Sequence, residues 1–152
     1  MNILITGARG FLGRNLFENL RTLADGRNKT RSALSIGRIF EYDRENTPEV
    51  LDRFCADCDF VIHAVGVNRP RDPAEFMEGN FGFTDTLLGM LQRHHNPVHI
   101  VIASSVQATL SGRYGCSEYG RSKLAGEERM FAYSAETGAP VYVYRFPNLV
   151  GK

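Results

Sequence analysis

Short apolar runs alternate along this chain with stretches whose apolar residues recur every three or four positions. The first pattern is that of buried strands, the second that of amphipathic helices. Asn2 to Thr6 (NILIT) predicts a strand ending in a glycine cluster. A helix follows, with Leu12, Leu16, Leu20 and Leu23 on one face. Residues 24–37 are polar, carry Arg27, Lys29 and Arg31, and predict an exposed, mobile loop. Arg38 to Asp43 predicts a second strand and Pro48 to Phe54 a short helix. Phe60 to Val65 (FVIHAV) predicts a third strand, apolar enough to be buried on both faces. Asp72 is placed to cap a helix reaching about Arg93, with Pro73 at its first position and Glu75 completing a capping box. Val98 to Ala103 is the fourth strand. Ser117 caps a last helix that ends near Gly138, with Pro140 just beyond, and Val141 to Arg145 is the fifth strand.

Strands alternating with helices predict an α/β fold, a doubly wound parallel sheet of the Rossmann type with helices on both faces. The stretch between Asp43 and Phe60 has room for one helix only. That predicts five strands in the order 2-1-3-4-5, with a cleft between strands 1 and 3.

Composition narrows the class without choosing a function. At 152 residues the chain is one domain, 43% hydrophobic and 23% charged, as in soluble globular proteins. A net charge of +1 gives no reason to expect nucleic acid or an anionic membrane surface as partner. No apolar run approaches the roughly 20 residues that span a bilayer. Gly7, Arg9, Gly10 and Gly13 break up what would be the apolar part of a signal peptide. Three cysteines argue against a disulfide framework and for a reducing, cytoplasmic setting. Cys55 and Cys58 form a CxxC with no second pair to complete a zinc site, and read as half-buried thiols before a strand. Cys116 is placed to line the cleft near Tyr119, without a catalytic role.

Candidate chemistry gathers at strand ends. Gly7, Gly10 and Gly13 form a GxxGxxG directly after the first strand, running into the first helix through Phe11 and Leu12. Gly7 permits the tight turn, Gly10 lets backbone approach a pyrophosphate, and Gly13 allows close helix–sheet packing. The helix start then offers amide donors and a positive dipole end to phosphates. Ala64 and Gly66 end the third strand, where a second segment flanks a cofactor, and His63 reads as structural. Asp43 ends the second strand, where an acid binds the adenosine ribose of NAD. Arg44 and Arg9 lie beside it and could clamp a 2′-phosphate, the mark of NADP. Alternatively, both are solvated surface charges.

Ser104 and Ser105 end the fourth strand, and Ser105 precedes Tyr119 by 14 residues. Tyr119 and Lys123, four apart, share one helix face. An ammonium there favours the phenolate, so the tyrosine can ionise below its unperturbed value of about 10 and exchange a proton near neutral pH. A plain exposed helix pair would look the same in isolation; the neighbouring motifs give it meaning.

GxxGxxG, a strand-end serine and YxxxK, in that order, resemble the extended short-chain dehydrogenase/reductase superfamily of sugar-nucleotide epimerases, dehydratases and reductases, over the whole chain. Asn80 to Thr84 is similar to its NxxGT helix motif with the glycine shifted by one, and Arg145 to Gly151 to its RxxNxxG segment. The runs Gly66 to Pro70, Ser104 to Thr109 and Tyr144 to Asn148 resemble the bacterial capsule-biosynthesis reductases of UDP-linked 4-keto-6-deoxy-N-acetylhexosamines.

The resemblance implies hydride transfer from nicotinamide to a sugar keto carbon, with no metal. Tyr119 would be the proton donor, Ser105 a hydrogen-bond donor to the carbonyl oxygen, and Lys123 the residue that tunes Tyr119 and binds the nicotinamide ribose. Pro147 would meet the cofactor; Gln107 and Asn148, with Ser105, would meet the UDP-sugar. NADP(H) is the expected cofactor and NAD(H) the alternative, in a homodimer. A dehydratase would need an added acid and base near the serine, and Gln107 and Ala108 offer neither. A non-catalytic dinucleotide sensor commonly loses the tyrosine or lysine, and both are present. Extended family members continue past this segment into a substrate-binding subdomain. The resemblance therefore implies an NAD(P)-binding domain over residues 1–152, binding NADP(H) with little or no catalysis on its own.

Overall fold

A computed structural model describes residues 1–27, 34–112 and 117–151. The central part of the 24–37 loop and Cys116 lie outside the described residues. Five parallel strands form one sheet in the order β2-β1-β3-β4-β5: β1 Ile3–Thr6, β2 Ile39–Tyr42, β3 Phe60–His63, β4 His99–Ser105 and β5 Val141–Phe146. This is the order expected from the connection lengths. Each adjacent pair is parallel and in register, with Thr6 opposite both Tyr42 and His63, and Ser104 opposite Arg145.

Helices α1 (Phe11–Ala24) and α2 (Pro48–Asp57) follow the first two strands. A short α3 (Ala74–Phe76), a π-helical segment (Met77–Gly82) and α4 (Phe83–Arg93) follow the third. A 3-10 turn (Val106–Thr109) and the long α5 (Glu118–Thr137) follow the fourth. The larger core lies between the sheet and α2, α4 and α5, around Leu4, Val61, Leu87, Leu91, Ile100 and Met130. On the other face Ile3, Ile5 and Ala8 meet Phe17 and Leu20 of α1. Ile36, at the end of the predicted loop, packs there too.

Several expectations are adjusted. β3 stops at His63 rather than Val65, and Ala64 to Gly66 leave the ladder as a coil over the carboxyl end of the sheet. Only Val61 and His63 of that strand are fully buried, because α1 covers its other face in part. On α1 only Gly13 is buried; Leu12, Leu16, Leu20 and Leu23 are half-buried. Cys55 and Cys58 are fully buried, not half-buried, because α2 turns its inner face onto the larger core. The capping box forms as expected: Asp72 Oδ1 accepts from the Ala74 amide at 2.9 Å, and Glu75 Oε1 accepts from the Asp72 amide at 3.2 Å. The helix it starts does reach Arg93, but through a π-helical turn. Ser117 caps α5 by accepting from the Gly120 amide at 3.0 Å. Gly138 ends that helix in the left-handed conformation, φ 75°. Among the described residues no helix is long and apolar enough to cross a membrane.

Candidate active site

The carboxyl ends of the strands carry the site, because parallel strands all deliver their C-terminal loops to one edge. The turn after β1 is shaped by two of its glycines. Gly7 has φ 72°, and a Cβ on it would lie 2.8 Å from the Val65 amide nitrogen. A Cβ on Gly13 would overlap the Gly7 carbonyl oxygen, so α1 can press against the turn only with glycine there. α1 also starts without a side-chain cap and without an acid in its first turn. Its first amides are thus left open, the arrangement that suits a phosphate.

Two adjoining hollows share Gly10, Ala64 and Gly66. The first, about 540 Å³, is lined by Gly7, Arg9, Tyr42, Asp43, Arg44 and Glu45 on one side and by Val65, Val67 and Phe83 on the other. The second, about 710 Å³, brings in Phe11 and Leu12 from α1, Ser105 and Gln107 from the end of β4, Tyr119 and Lys123 from α5, and Pro147 and Asn148 after β5. Every sequence-predicted site residue lines one hollow or the other except Gly13, which is buried beneath the turn. Asn68, Arg69 and Leu149 also face the larger hollow, and Glu45 the smaller. Asn68 and Arg69 fall in the run resembling the capsule reductases, so their position was readable; nothing in the sequence ties Glu45 to Arg9.

In the smaller hollow the Asp43 carboxylate accepts two backbone amides at 2.8 Å, those of Arg9 and of Arg44. The Arg9 guanidinium pairs with Glu45, and both side chains are mostly exposed. Arg9 therefore has an acidic partner that neither sequence reading, phosphate clamp or solvated charge, included.

In the larger hollow Ser105 Oγ accepts from the Gln107 amide at 3.2 Å, capping the 3-10 turn while keeping its own proton to donate. Gln107 Oε1 accepts from Ser117 Oγ at 3.3 Å, which ties the turn to the start of α5. Lys123 is 7% exposed and donates to the Ala103 carbonyl at 3.3 Å. Its Nζ crosses so close to Gly66 that a Cβ there would come within 2.7 Å. It also lies 6.0 Å from the centre of the Tyr119 ring, which packs on Phe76 with ring centres 5.6 Å apart. Burial pushes the lysine down to about 8, with Glu127 opposing the shift.

A buried hydrogen-bond chain holds these parts together. Asn80 Nδ2 donates to the Val67 carbonyl at 3.1 Å and to Ser122 Oγ at 2.9 Å, while its Oδ1 accepts from the Val67 amide at 2.8 Å. Ser122 Oγ donates to the Tyr119 carbonyl at 2.8 Å. Thr84 Oγ1 gives its only proton to the Asn80 carbonyl at 2.6 Å, so it accepts from His63 Nε2 at 2.9 Å. His63 Nδ1 then accepts from Thr6 Oγ1 at 2.7 Å. Burial, and secondarily Lys123, pushes His63 down to about 3, which fits a neutral structural imidazole. The π turn puts Asn80 where it can reach the 66–67 coil and α5 at once.

The glycine turn and the open start of α1 fit the pyrophosphate of a dinucleotide. The chain belongs to the NAD dependent epimerase/dehydratase family, whose model matches residues 3–152. It is 34% identical over its whole length to a UDP-2-acetamido-2,6-beta-L-arabino-hexul-4-ose reductase of Pseudomonas aeruginosa, of which it spans 37%. It is 40% identical to the capsular polysaccharide assembling protein CapF of Staphylococcus aureus, with a TM-score of 0.75 over 100% of this chain and 37% of that one. A UDP-glucuronic acid 4-epimerase of Bacillus cereus, solved with NAD, shares the fold at 21% identity and a TM-score of 0.75, over 99% of this chain and 58% of that one. The chain thus spans little more than a third of the length of the first two relatives.

Proposed function

We propose that residues 1–152 are the NAD(P)-binding domain of a reductase acting on a UDP-linked 4-keto-6-deoxy-N-acetylhexosamine in surface-polysaccharide precursor synthesis. The observation that carries this is the convergence of Ser105, Tyr119, Lys123 and Gln107 on the hollow that adjoins the glycine turn. The name of the P. aeruginosa relative supports the substrate class.

The bound nicotinamide would supply the hydride. Gly10 and the open amides of α1 would hold the pyrophosphate, Asp43 and the Val65–Val67 coil the adenosine end, and Lys123 and Pro147 the nicotinamide ribose side. Ser105 would donate a hydrogen bond to the sugar carbonyl oxygen, and Tyr119 would deliver the proton to that same oxygen. Lys123 would place positive charge beside the tyrosinate left behind. Gln107 and Asn148 would orient the sugar.

NADP(H) is the favoured cofactor. Arg9 and Arg44 both rim the smaller hollow, beside an Asp43 already engaged by two amides. A 2′-phosphate would have to draw Arg9 from Glu45, and an exposed pair of that kind holds about 0–1 kcal/mol, less than a charge-assisted phosphate contact returns. The enzyme would act as a homodimer in the cytoplasm.

Incubation of a full-length protein carrying this domain with NADPH and the 4-keto sugar nucleotide tests the reaction. Stoichiometric oxidation of NADPH with formation of the 4-hydroxy sugar is expected. Isomerisation of the sugar without net NADPH consumption would replace the reductase by an epimerase.

A further inference from the structure

Glu127 lies on α5 one turn beyond Lys123 and two beyond Tyr119, so the three share one face of the helix. It is 1% exposed. Its carboxylate is filled from both neighbouring strands. Ser104 Oγ donates to Oε1 at 2.5 Å; Arg145 Nε donates to both oxygens at 3.0 and 3.1 Å, and a terminal guanidinium nitrogen donates to Oε2 at 2.6 Å. Ser104 and Arg145 face each other in the β4–β5 ladder. The residue before Ser104 gives its carbonyl to Lys123, and the residue after it is Ser105. One buried carboxylate therefore pins the strand end that supplies both the lysine's acceptor and the serine of the site. A buried ion pair is weak evidence for stability, because apolar residues of like volume often serve as well or better. Its location, directly under the site, is what needs a reason.

We propose that Glu127 is the positioning residue of the Ser105–Tyr119–Lys123 centre: it clips the carboxyl ends of β4 and β5 to α5 and sets a fixed negative charge one helical turn behind the Lys123 ammonium. The charged and titratable groups around Lys123 are few. α5 presents Tyr119 and Glu127, β3 the neutral His63, the coil after β3 Arg69 across the larger hollow, and β5 Arg145, whose guanidinium Glu127 occupies. β4 and the π segment present only the Ala103 carbonyl, Ser104, Ser105 and Asn80. Glu127 is thus the negative charge that opposes the lysine's desolvation.

The inference rests on reading Tyr119 and Lys123 as the proton-transfer pair, but its test needs neither cofactor nor turnover, so its failure and the failure of the reductase reading are separable. The chain has three lysines, Lys29, Lys123 and Lys152, so carbon-13 labelling of lysine side chains gives three resonances to follow by NMR. The Lys123 signal, assigned by its loss in Lys123→Arg, is expected to titrate near 8. Glu127→Gln keeps the shape and removes the charge, and should move that titration down by one unit or more, roughly a tenfold larger acid constant. Glu127→Asp should restore most of it. An unmoved Lys123 titration in a folded Glu127→Gln protein would overturn the proposal. If Glu127→Gln does not fold, Arg145→Gln carries the test: with the guanidinium gone, the carboxylate faces Lys123 alone and the titration should move up. No movement, or a downward one, overturns the proposal equally. A purely structural clip would move neither titration.

Discussion

A tyrosine that gives a proton to a carbonyl must be near a cation yet able to reach the substrate. Tyr119 meets both needs: half-buried, with the Lys123 ammonium 6.0 Å from its ring and its own edge in the larger hollow. Tyr119→Phe, made in a full-length relative, is expected to leave NADPH affinity unchanged while lowering turnover by roughly 10²–10⁴, the share that general acid catalysis supplies. Calorimetry and the NADPH-oxidation assay check the two halves, and near-normal turnover would reject the assigned role. Spacing made this pair legible, because residues four apart on a helix must share a face. Ser105 was legible from its place at a strand end. Arg9 and Glu45 were not, since 36 positions separate them and only the turn after β1 brings them together. Glu127 also follows Lys123 by four positions, but an acid inside the run Gly126-Glu127-Glu128-Arg129 reads from sequence as part of a charged surface.

At the scale of elements, the connection after β3 departs furthest from its sequence pattern. An unbroken helix from Asp72 to Arg93 would be the plain reading of the capping box and the apolar spacing. The π turn between Met77 and Gly82 adds a residue to the repeat, and no hydrophobic period signals such a local insertion. Two glycines help to accommodate it, and a Cβ on Gly79 would overlap the Val67 side chain. The turn's product is Asn80, which binds the amide and the carbonyl of Val67 and the hydroxyl of Ser122. Asn80→Ala strips both half-buried backbone groups of Val67 of their partner, a loss at the low end of the roughly 1–3 kcal/mol that buried groups left unpaired cost. We expect a melting temperature several degrees lower together with weaker NADPH binding, because the coil beneath the cofactor loses its anchor. A variant that melts and binds like the parent would show that the 66–67 coil is held by other contacts.

At the scale of the molecule, strand order and the location of the cleft followed from connection lengths alone, since a single short helix between β2 and β3 leaves no room for a sixth strand. The burial of the CxxC was less legible, because α2 is short and its inner face is set by packing on α4. Burial pushes the Cys55 and Cys58 thiols up to about 12 from an ordinary value of 9. The folded protein thus keeps these protons longer than the unfolded chain does. The stability this gives is complete below pH 9 and is lost as pH rises from 9 through 12. Lys123 acts in the opposite sense between its folded value near 8 and its ordinary 10.5, and is one group against two. Urea midpoints should therefore fall as the pH is raised beyond about 10, and alkylation at pH 8 followed by peptide mapping should find Cys55 and Cys58 protected in the folded protein. Rapid modification of either would contradict their burial.

The hollow running from the glycine turn to Tyr119 is proposed as a nicotinamide dinucleotide site. Calorimetric titration of the purified chain with NADPH and with NADH tests it most directly. Saturable, one-to-one binding of NADPH is expected, tighter than NADH by about a factor of ten, the equivalent of roughly one added charge-assisted contact between Arg9 or Arg44 and the 2′-phosphate. A tenfold preference for NADH would overturn the role given to those arginines. Binding of neither dinucleotide would contradict the site itself.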